Sequence, residues 1–224
     1  MKFAVIVFPG SNCDHDAYKV IDNIEGVKPE FVWHRENDLS KYDAIIVPGG
    51  FSYGDYLRAG AIAKFSPIMN AVISESKKGK TIIGICNGFQ ILIESGLLPG
   101  ALINNSGVKF KSKEVSLFTE NHDTVFTNQI PQNKKMFMPI AHRQGNYLAD
   151  DDTLKSLKDN DQIAFTYSPE GGGNPNGSSL DIAGVFNNRK NILGMMPHPE
   201  RASDILLGSN DGSLIFKSMI ESIA

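Results

Sequence analysis

Thr81-Ile82-Ile83-Gly84-Ile85-Cys86-Asn87-Gly88-Phe89-Gln90 is an apolar run that stops at a cysteine and turns at once into a helical stretch. The pattern predicts a buried strand over 81–85 and a short helix over 88–94. Glycines stand two residues before and two residues after Cys86. This is the strand–turn–helix order of a nucleophile elbow, written with cysteine in place of serine. The sharp turn lifts the side chain above the sheet edge, and the glycines let the backbone bend and pack closely. A helix starting beside the sulfur favours its thiolate form. Free cysteine is also a common buried apolar residue, so the spacing alone leaves a packing role open.

Working outward, the same punctuation recurs upstream. Strands are predicted over 3–8, 30–33 and 44–47, and helices over 14–24 and 60–77. Short apolar runs alternating with helical stretches predict an α/β chain with a mostly parallel sheet and helices on both faces. Ligands in such sheets gather beyond the carboxyl ends of the strands, where Cys86 and the loop Pro48-Gly49-Gly50-Phe51-Ser52-Tyr53-Gly54-Asp55 fall. Further along, shorter strands over 114–118, 124–127, 136–140, 162–167, 182–186 and 192–195 predict antiparallel additions. Residues 170–179 read as a flexible loop, and 212–223 as an amphipathic closing helix. No repeat or linker divides the chain, so residues 1–224 are expected to form a single domain.

The 224 residues carry a net charge of -3, with 41% apolar and 21% charged residues. That balance supplies no basic field to recruit nucleic acid. No apolar run is long enough to span a bilayer as a helix. The opening run Phe3-Ala4-Val5-Ile6-Val7-Phe8 leads into Pro9-Gly10 and not into a small-residue cleavage site, so it reads as a first strand. Two cysteines make no disulfide framework, and a cytoplasmic location is expected.

Downstream, Gly194-Met195-Met196-Pro197-His198-Pro199-Glu200 supplies the partners that a thiol nucleophile needs. Two prolines favour an extended segment, on which residues two apart point the same way. A Glu200 carboxylate beside the His198 imidazole can fix its tautomer, and the imidazole can then take a thiol proton and return one to a leaving amine. The plainer alternative pairs Glu200 with Arg201. Gly50 or Phe51 and Asn87 are candidate backbone donors for an oxyanion hole, against a tight turn without chemistry. Asn12-Cys13-Asp14-His15-Asp16 holds metal-ligand residue types. Neighbours on a starting helix diverge, however, and no second ligand cluster follows, so no metal is expected. Cys13 is a rival nucleophile without elbow glycines. His142 follows a strand and is a candidate substrate contact or a structural histidine.

Gly84-Ile85-Cys86-Asn87-Gly88-Phe89-Gln90 together with Pro197-His198-Pro199-Glu200-Arg201 resembles the class I, triad-type glutamine amidotransferases. Residues 48–60 and 8–14 narrow the resemblance to glutaminase subunits of purine biosynthesis. The likeness runs from the first strand to the last helix. It implies a flavodoxin-like sheet with L-glutamine bound above Cys86. It also implies Cys86 as nucleophile, His198 as acid and base, Glu200 as its orienter, and Gly50, Phe51, Asn87, Gln90 and His142 at the substrate. Two partners are implied: a large synthetase subunit, plus a small accessory subunit. The synthetase, holding ATP and magnesium, would use the ammonia to convert formylglycinamide ribonucleotide to the amidine. No cofactor is implied in this chain. One segment departs from the pattern: relatives are expected to carry His-Gly-Glu-Gly where this chain has His142-Arg143-Gln144-Gly145. Two rival readings are a stand-alone cysteine hydrolase or deglycase, and a non-catalytic regulatory module.

Overall fold

The computed structural model describes residues 1–170 and 172–224. In chain order the elements are β1 (Lys2–Val7), α1 (Asp14–Asp22), β2 (Lys28–Trp33), β3 (Ala44–Val47), α2 (Pro67–Lys77), β4 (Thr81–Ile85), α3 (Asn87–Glu94) and β5 (Ala101–Ile103). Then follow β6 (Lys111–Thr119), β7 (Met136–His142), β8 (Asn146–Leu148), α4 (Asp151–Asp159), β9 (Ile163–Tyr167), β10 (Ile182–Phe186), β11 (Ile192–Met195) and α5 (Ser213–Ile223).

Nine strands form one sheet in the order β2-β1-β3-β4-β11-β10-β9-β6-β7. The first five pair in parallel and make a flavodoxin-like order, and the last four continue it antiparallel. Every residue of β3, β4 and β11 is buried. Those strands are therefore covered on both faces, which explains their unbroken apolar runs. β4 and β11 run in register from Ile82 opposite Ile192 to Ile85 opposite Met195. The ladder continues one step into the turn, where the Cys86 N–H donates to Met195 O at 2.8 Å. The carboxyl ends of three adjacent strands thus deliver Pro48-Gly49, Cys86 and Met196-Pro197-His198 to one edge of the sheet.

Several local readings change. Residues 60–77 are not one helix. Ser66 is extended (φ -63°, ψ 140°) ahead of Pro67, as the proline ring demands, so a short turn over Ala63–Phe65 precedes α2. Residues 124–127 form turns and no strand. The Phe126 N–H donates to Thr124 Oγ1 at 3.2 Å, and the Thr127 N–H to Thr124 O at 3.1 Å. These local bonds replace a ladder, while buried Phe126 supplies the apolar signal that suggested one. α4 and the two-stranded sheet β5–β8 were not anticipated: α4 is mostly polar and exposed, and β5 and β8 are three residues each, too short to show a period. The predicted flexible loop over 170–179 includes Gly171, which lies outside the described residues. Within the remainder, Asn174 Oδ1 accepts from the N–H groups of Asn176, Gly177 and Ser178.

Candidate active site

Cys86 sits on the strand-to-helix turn with φ 49° and ψ -104°, a conformation that a side chain adopts only under constraint. The flanking glycines are required by close packing. A Cβ on Gly88 would lie 1.8 Å from Val47 O, and one on Gly84 would lie 2.4 Å from Leu92 Cδ1. α3 therefore presses directly on the ends of β3 and β4, with Cys86 at its amino terminus.

His198 follows β11, and its N–H donates to Pro139 O at 2.9 Å, tying it to β7. Its Nδ1 donates to Glu200 Oε1 at 2.6 Å, and both side chains are buried. That bond fixes the tautomer and leaves Nε2 without a partner among the described residues. Burial opposes protonation of His198. The Glu200 carboxylate and the Cys86 sulfur outweigh it, with Cys13 adding to them, and hold the imidazole well above its ordinary value. Gly49 marks the meeting point: a Cβ there would lie 2.9 Å from His198 Cε1, 3.2 Å from Cys13 Sγ and 3.4 Å from Cys86 Cβ.

The rival cysteine is thus close by. Cys13 Sγ accepts from Arg201 Nη2 at 3.0 Å, and Arg201 Nε donates to Asp16 Oδ2 at 3.0 Å. Arg201 therefore pairs with Asp16, while Glu200 pairs with His198. One ligand-type atom each from Cys13, His198 and Glu200 lies within 4.8 Å of the others. A cavity of about 200 Å³ is lined by Asn12, Cys13, Cys86, His198 and Arg201. A second, of about 290 Å³, shares Gly50, Phe51 and Cys86 with the first and is also lined by Asp55, Gln90, His142, Arg143 and Gln144 among others. Cys86 lines both cavities, and Cys13 only the smaller.

Of the oxyanion candidates, the Phe51 N–H already donates to Gly10 O at 3.3 Å. Gly50 N–H has no protein acceptor among the described residues, and Asn87 N–H, in the first turn of α3, has no helical one. The Asn87 side chain braces the site. Its Oδ1 accepts from Ser52 N at 3.0 Å, and its Nδ2 donates to Asp55 Oδ1 at 3.0 Å and to Gln90 Oε1 at 2.9 Å. Gln90 Nε2 in turn donates to Gln144 O at 2.7 Å, and Gln144 Oε1 accepts from the Ala59 N–H at 3.2 Å. His142 Nδ1 bonds Asn105 Oδ1 at 3.2 Å. Burial and the neighbouring His198 push this imidazole down to about 4, so it is neutral at physiological pH. Burial pushes the Asp55 carboxyl up to about 6, offset only in part by the Asn87 bond.

The sequence-predicted residues Cys86, His198, Glu200, Gly50 and Asn87 meet at one sheet edge, with Phe51, Gln90 and His142 around the larger cavity. Asp55, Asn105, Gln144 and the Arg201–Cys13 contact carried no assigned role in the sequence. Asp55 and Arg201 lie inside quoted motifs, which is the one signal that pointed to them. Asn105 lies in a polar loop with no periodic pattern.

Comparison with known proteins places this geometry. The family described as the CobB/CobQ-like glutamine amidotransferase domain matches residues 1–211. The structure of PurLQS from Thermotoga maritima is 45% identical with a TM-score of 0.90, covering 100% of this chain and 99% of that one. A protein from Thermoplasma acidophilum described as a GMP synthase component shares the fold at 16% identity and a TM-score of 0.67, over 100% and 94% of the two chains. The glutaminase domain of Trypanosoma brucei CTPS, solved with bound acivicin, does so at 12% identity and a TM-score of 0.62, over 99% and 94%. With an elbow cysteine, a buried His–Glu pair and a family match over nearly its whole length, the chain belongs to the CobB/CobQ-like glutamine amidotransferase domain family.

Proposed function

We propose that this chain is the glutaminase subunit of phosphoribosylformylglycinamidine synthase. The observation that carries the chemistry is the convergence of Cys86, strained at φ 49°, with the buried His198–Glu200 pair around Gly49. The kinship to PurLQS at 45% identity carries the choice of synthase.

In the proposed reaction the Cys86 thiol gives its proton to His198 Nε2, and the sulfur attacks the side-chain amide carbon of L-glutamine. The tetrahedral oxyanion is held by the N–H of Gly50 and that of Asn87. His198 returns the proton to the departing nitrogen, which leaves as ammonia, and a glutamyl thioester remains on Cys86. Water deprotonated by His198 then attacks the thioester, releasing glutamate and restoring the thiol. Glu200 keeps Nδ1 protonated throughout and stabilises the imidazolium. The ammonia passes to a large synthetase subunit, with help from a small accessory subunit. There ATP and magnesium drive conversion of formylglycinamide ribonucleotide to formylglycinamidine ribonucleotide.

The test is glutamate release from L-glutamine by this chain, alone and with the synthetase and accessory subunits, in wild type and Cys86→Ala. Low release alone, stimulation by the partners and loss in the variant are expected. No release in the verified complex with all substrates would overturn the glutaminase reading. Release that survives Cys86→Ala would move the chemistry to another thiol, with Cys13 the first to replace.

A further inference from the structure

Cys13 and Cys86 are the two cysteines of the chain, both buried and both free. The proposed reaction uses Cys86 and His198 and leaves Cys13 without a role. Yet the fold brings all three to one point. A Cβ on Gly49 would touch Cys13 Sγ, Cys86 Cβ and His198 Cε1, and all three side chains line the cavity of about 200 Å³. Residues 12–16 showed metal-ligand types without a second ligand cluster in the sequence, and the ends of β4 and β11 supply one in space. His198 is 1% exposed, and its Nε2 has no hydrogen-bond partner among the described residues. Its other ring nitrogen is held by Glu200 at 2.6 Å. That is the arrangement of a zinc-binding histidine, in which a carboxylate on one nitrogen orients the ring and makes the other a better donor. Cys13 has an outer partner too. Arg201 Nη2 donates to its sulfur at 3.0 Å, and Asp16 Oδ2 balances that guanidinium at 3.0 Å from Nε. One ligand-type atom each from Cys13, His198 and Glu200 lies within 4.8 Å of the others, so sulfur, ring and carboxylate are already gathered.

We propose that Cys13 Sγ, Cys86 Sγ and His198 Nε2 form an inhibitory zinc site, with Glu200 and Arg201 as its outer partners. Side-chain rotation closes the two sulfurs and the ring onto the ion, to Zn–S of about 2.3 Å and Zn–N of about 2.0 Å. The fourth position opens on the cavity and takes water. Two thiolates and an imidazole select zinc over magnesium or calcium, which take oxygen donors. Two thiolates also cancel the charge of the ion at a buried site. On binding, the ion takes the lone pairs of both sulfurs and of Nε2, and the protons those atoms carry pass to solvent. The lone pairs of Cys86 and Nε2 are the ones needed for attack on the amide and for proton transfer. An occupied site is therefore inactive, and a chelator restores it. The site itself rests on the geometry, and its effect on turnover rests on the glutaminase reading above.

Cobalt(II), which absorbs where zinc is silent, reads the site in the full chain without turnover. Wild type is expected to bind one cobalt ion with a thiolate-to-metal charge-transfer band, and zinc is expected to displace it. Cys13→Ser and Cys86→Ser should each lose part of that band. Each should bind zinc more than about 100-fold more weakly, beyond the roughly 10- to 100-fold that loss of an outer partner costs. Glu200→Gln removes an outer partner and should fall within that smaller range. Zinc-edge X-ray absorption on wild type counts the ligands without any variant, and two sulfurs with one imidazole nitrogen are expected. In the assembled enzyme, glutamate release by wild type should stop as zinc is added and return with a zinc-selective chelator. Cys13→Ser, read against its own zinc-free rate, should need at least about 100-fold more zinc. One sulfur at the metal, or equal zinc affinity in wild type and Cys13→Ser, would overturn the site. Zinc bound by both sulfurs without inhibition would overturn the inhibitory role. Absence of glutamate release in the zinc-free complex is a different result: it would strike the functional reading and leave the cobalt and zinc-edge results as the test of the site.

Discussion

Gly88 is where one hydrogen in place of a methyl group decides whether α3 can seat on the sheet. A Cβ would meet Val47 O at 1.8 Å, and a backbone oxygen inside a ladder cannot step aside. Gly88→Ala is expected to cost about 3 kcal/mol, at the upper end of overpacking effects, and urea unfolding of the variant measures it. At His198 the charge balance makes a signed prediction. Glu200 raises the imidazole against the pull of burial, so in Glu200→Gln the pKa falls and the alkaline limb of the kcat/KM profile for glutamine moves to lower pH. An unmoved limb would mean that another group sets it. Asp55 works in the opposite sense. Its carboxyl is raised from 3.8 to about 6, so the folded chain binds more protons than the unfolded one between those values. Stability is therefore present below about pH 4 and is lost as pH rises through about 6. Asp55→Asn is expected to melt above wild type near pH 8 and to show no such gain near pH 4.

At the scale of elements, α4 is the exposed helix whose start is set by a single side chain. Asp150 Oδ1 accepts from the Thr153 N–H at 2.8 Å, while only Leu157 of the helix is buried. Asp150→Ala should cost about 1 kcal/mol, read as a lower urea midpoint at unchanged slope. Elements of this kind also mark the limit of legibility. β3, β4 and β11 could be read because complete burial leaves an unbroken apolar run. α4 could not, because an exposed helix is held by its cap, and β5 and β8 could not, because strands of three residues leave no period. The same division holds at the site. Cys86 and the His198–Glu200 pair were each legible as a local motif, and the resemblance joined the two; the chain after His198 is a tight turn over Pro199–Ala202, not the extended segment that the prolines suggested. The Asn87–Asp55 bond joins residues 32 apart, and the Arg201–Cys13 contact joins residues 188 apart. Contacts of that reach depend on how the sheet edge folds back on itself, which no local pattern records. The 60–77 segment breaks for a smaller reason: Pro67 can begin a helix and does not continue one.

For the molecule as a whole, ligand binding and folding are one equilibrium. In Cys86→Ser, which cannot form the thioester, L-glutamine at about 100 times its dissociation constant should raise the unfolding free energy by about 2.7 kcal/mol. A concentration series of melting temperatures checks this, and a flat series would show that the pocket does not hold glutamine. The last consequence comes from the bond between the Cys86 N–H and Met195 O, the final step of the β4–β11 ladder. The nucleophile and the strand that delivers the imidazole are successive links of one hydrogen-bonded lattice at the centre of nine strands. Heat can therefore not loosen the chemistry ahead of the scaffold: inactivation on warming should coincide with the cooperative melt, and the amides of Cys86 and its neighbours in β4 should be among the last to exchange with deuterium.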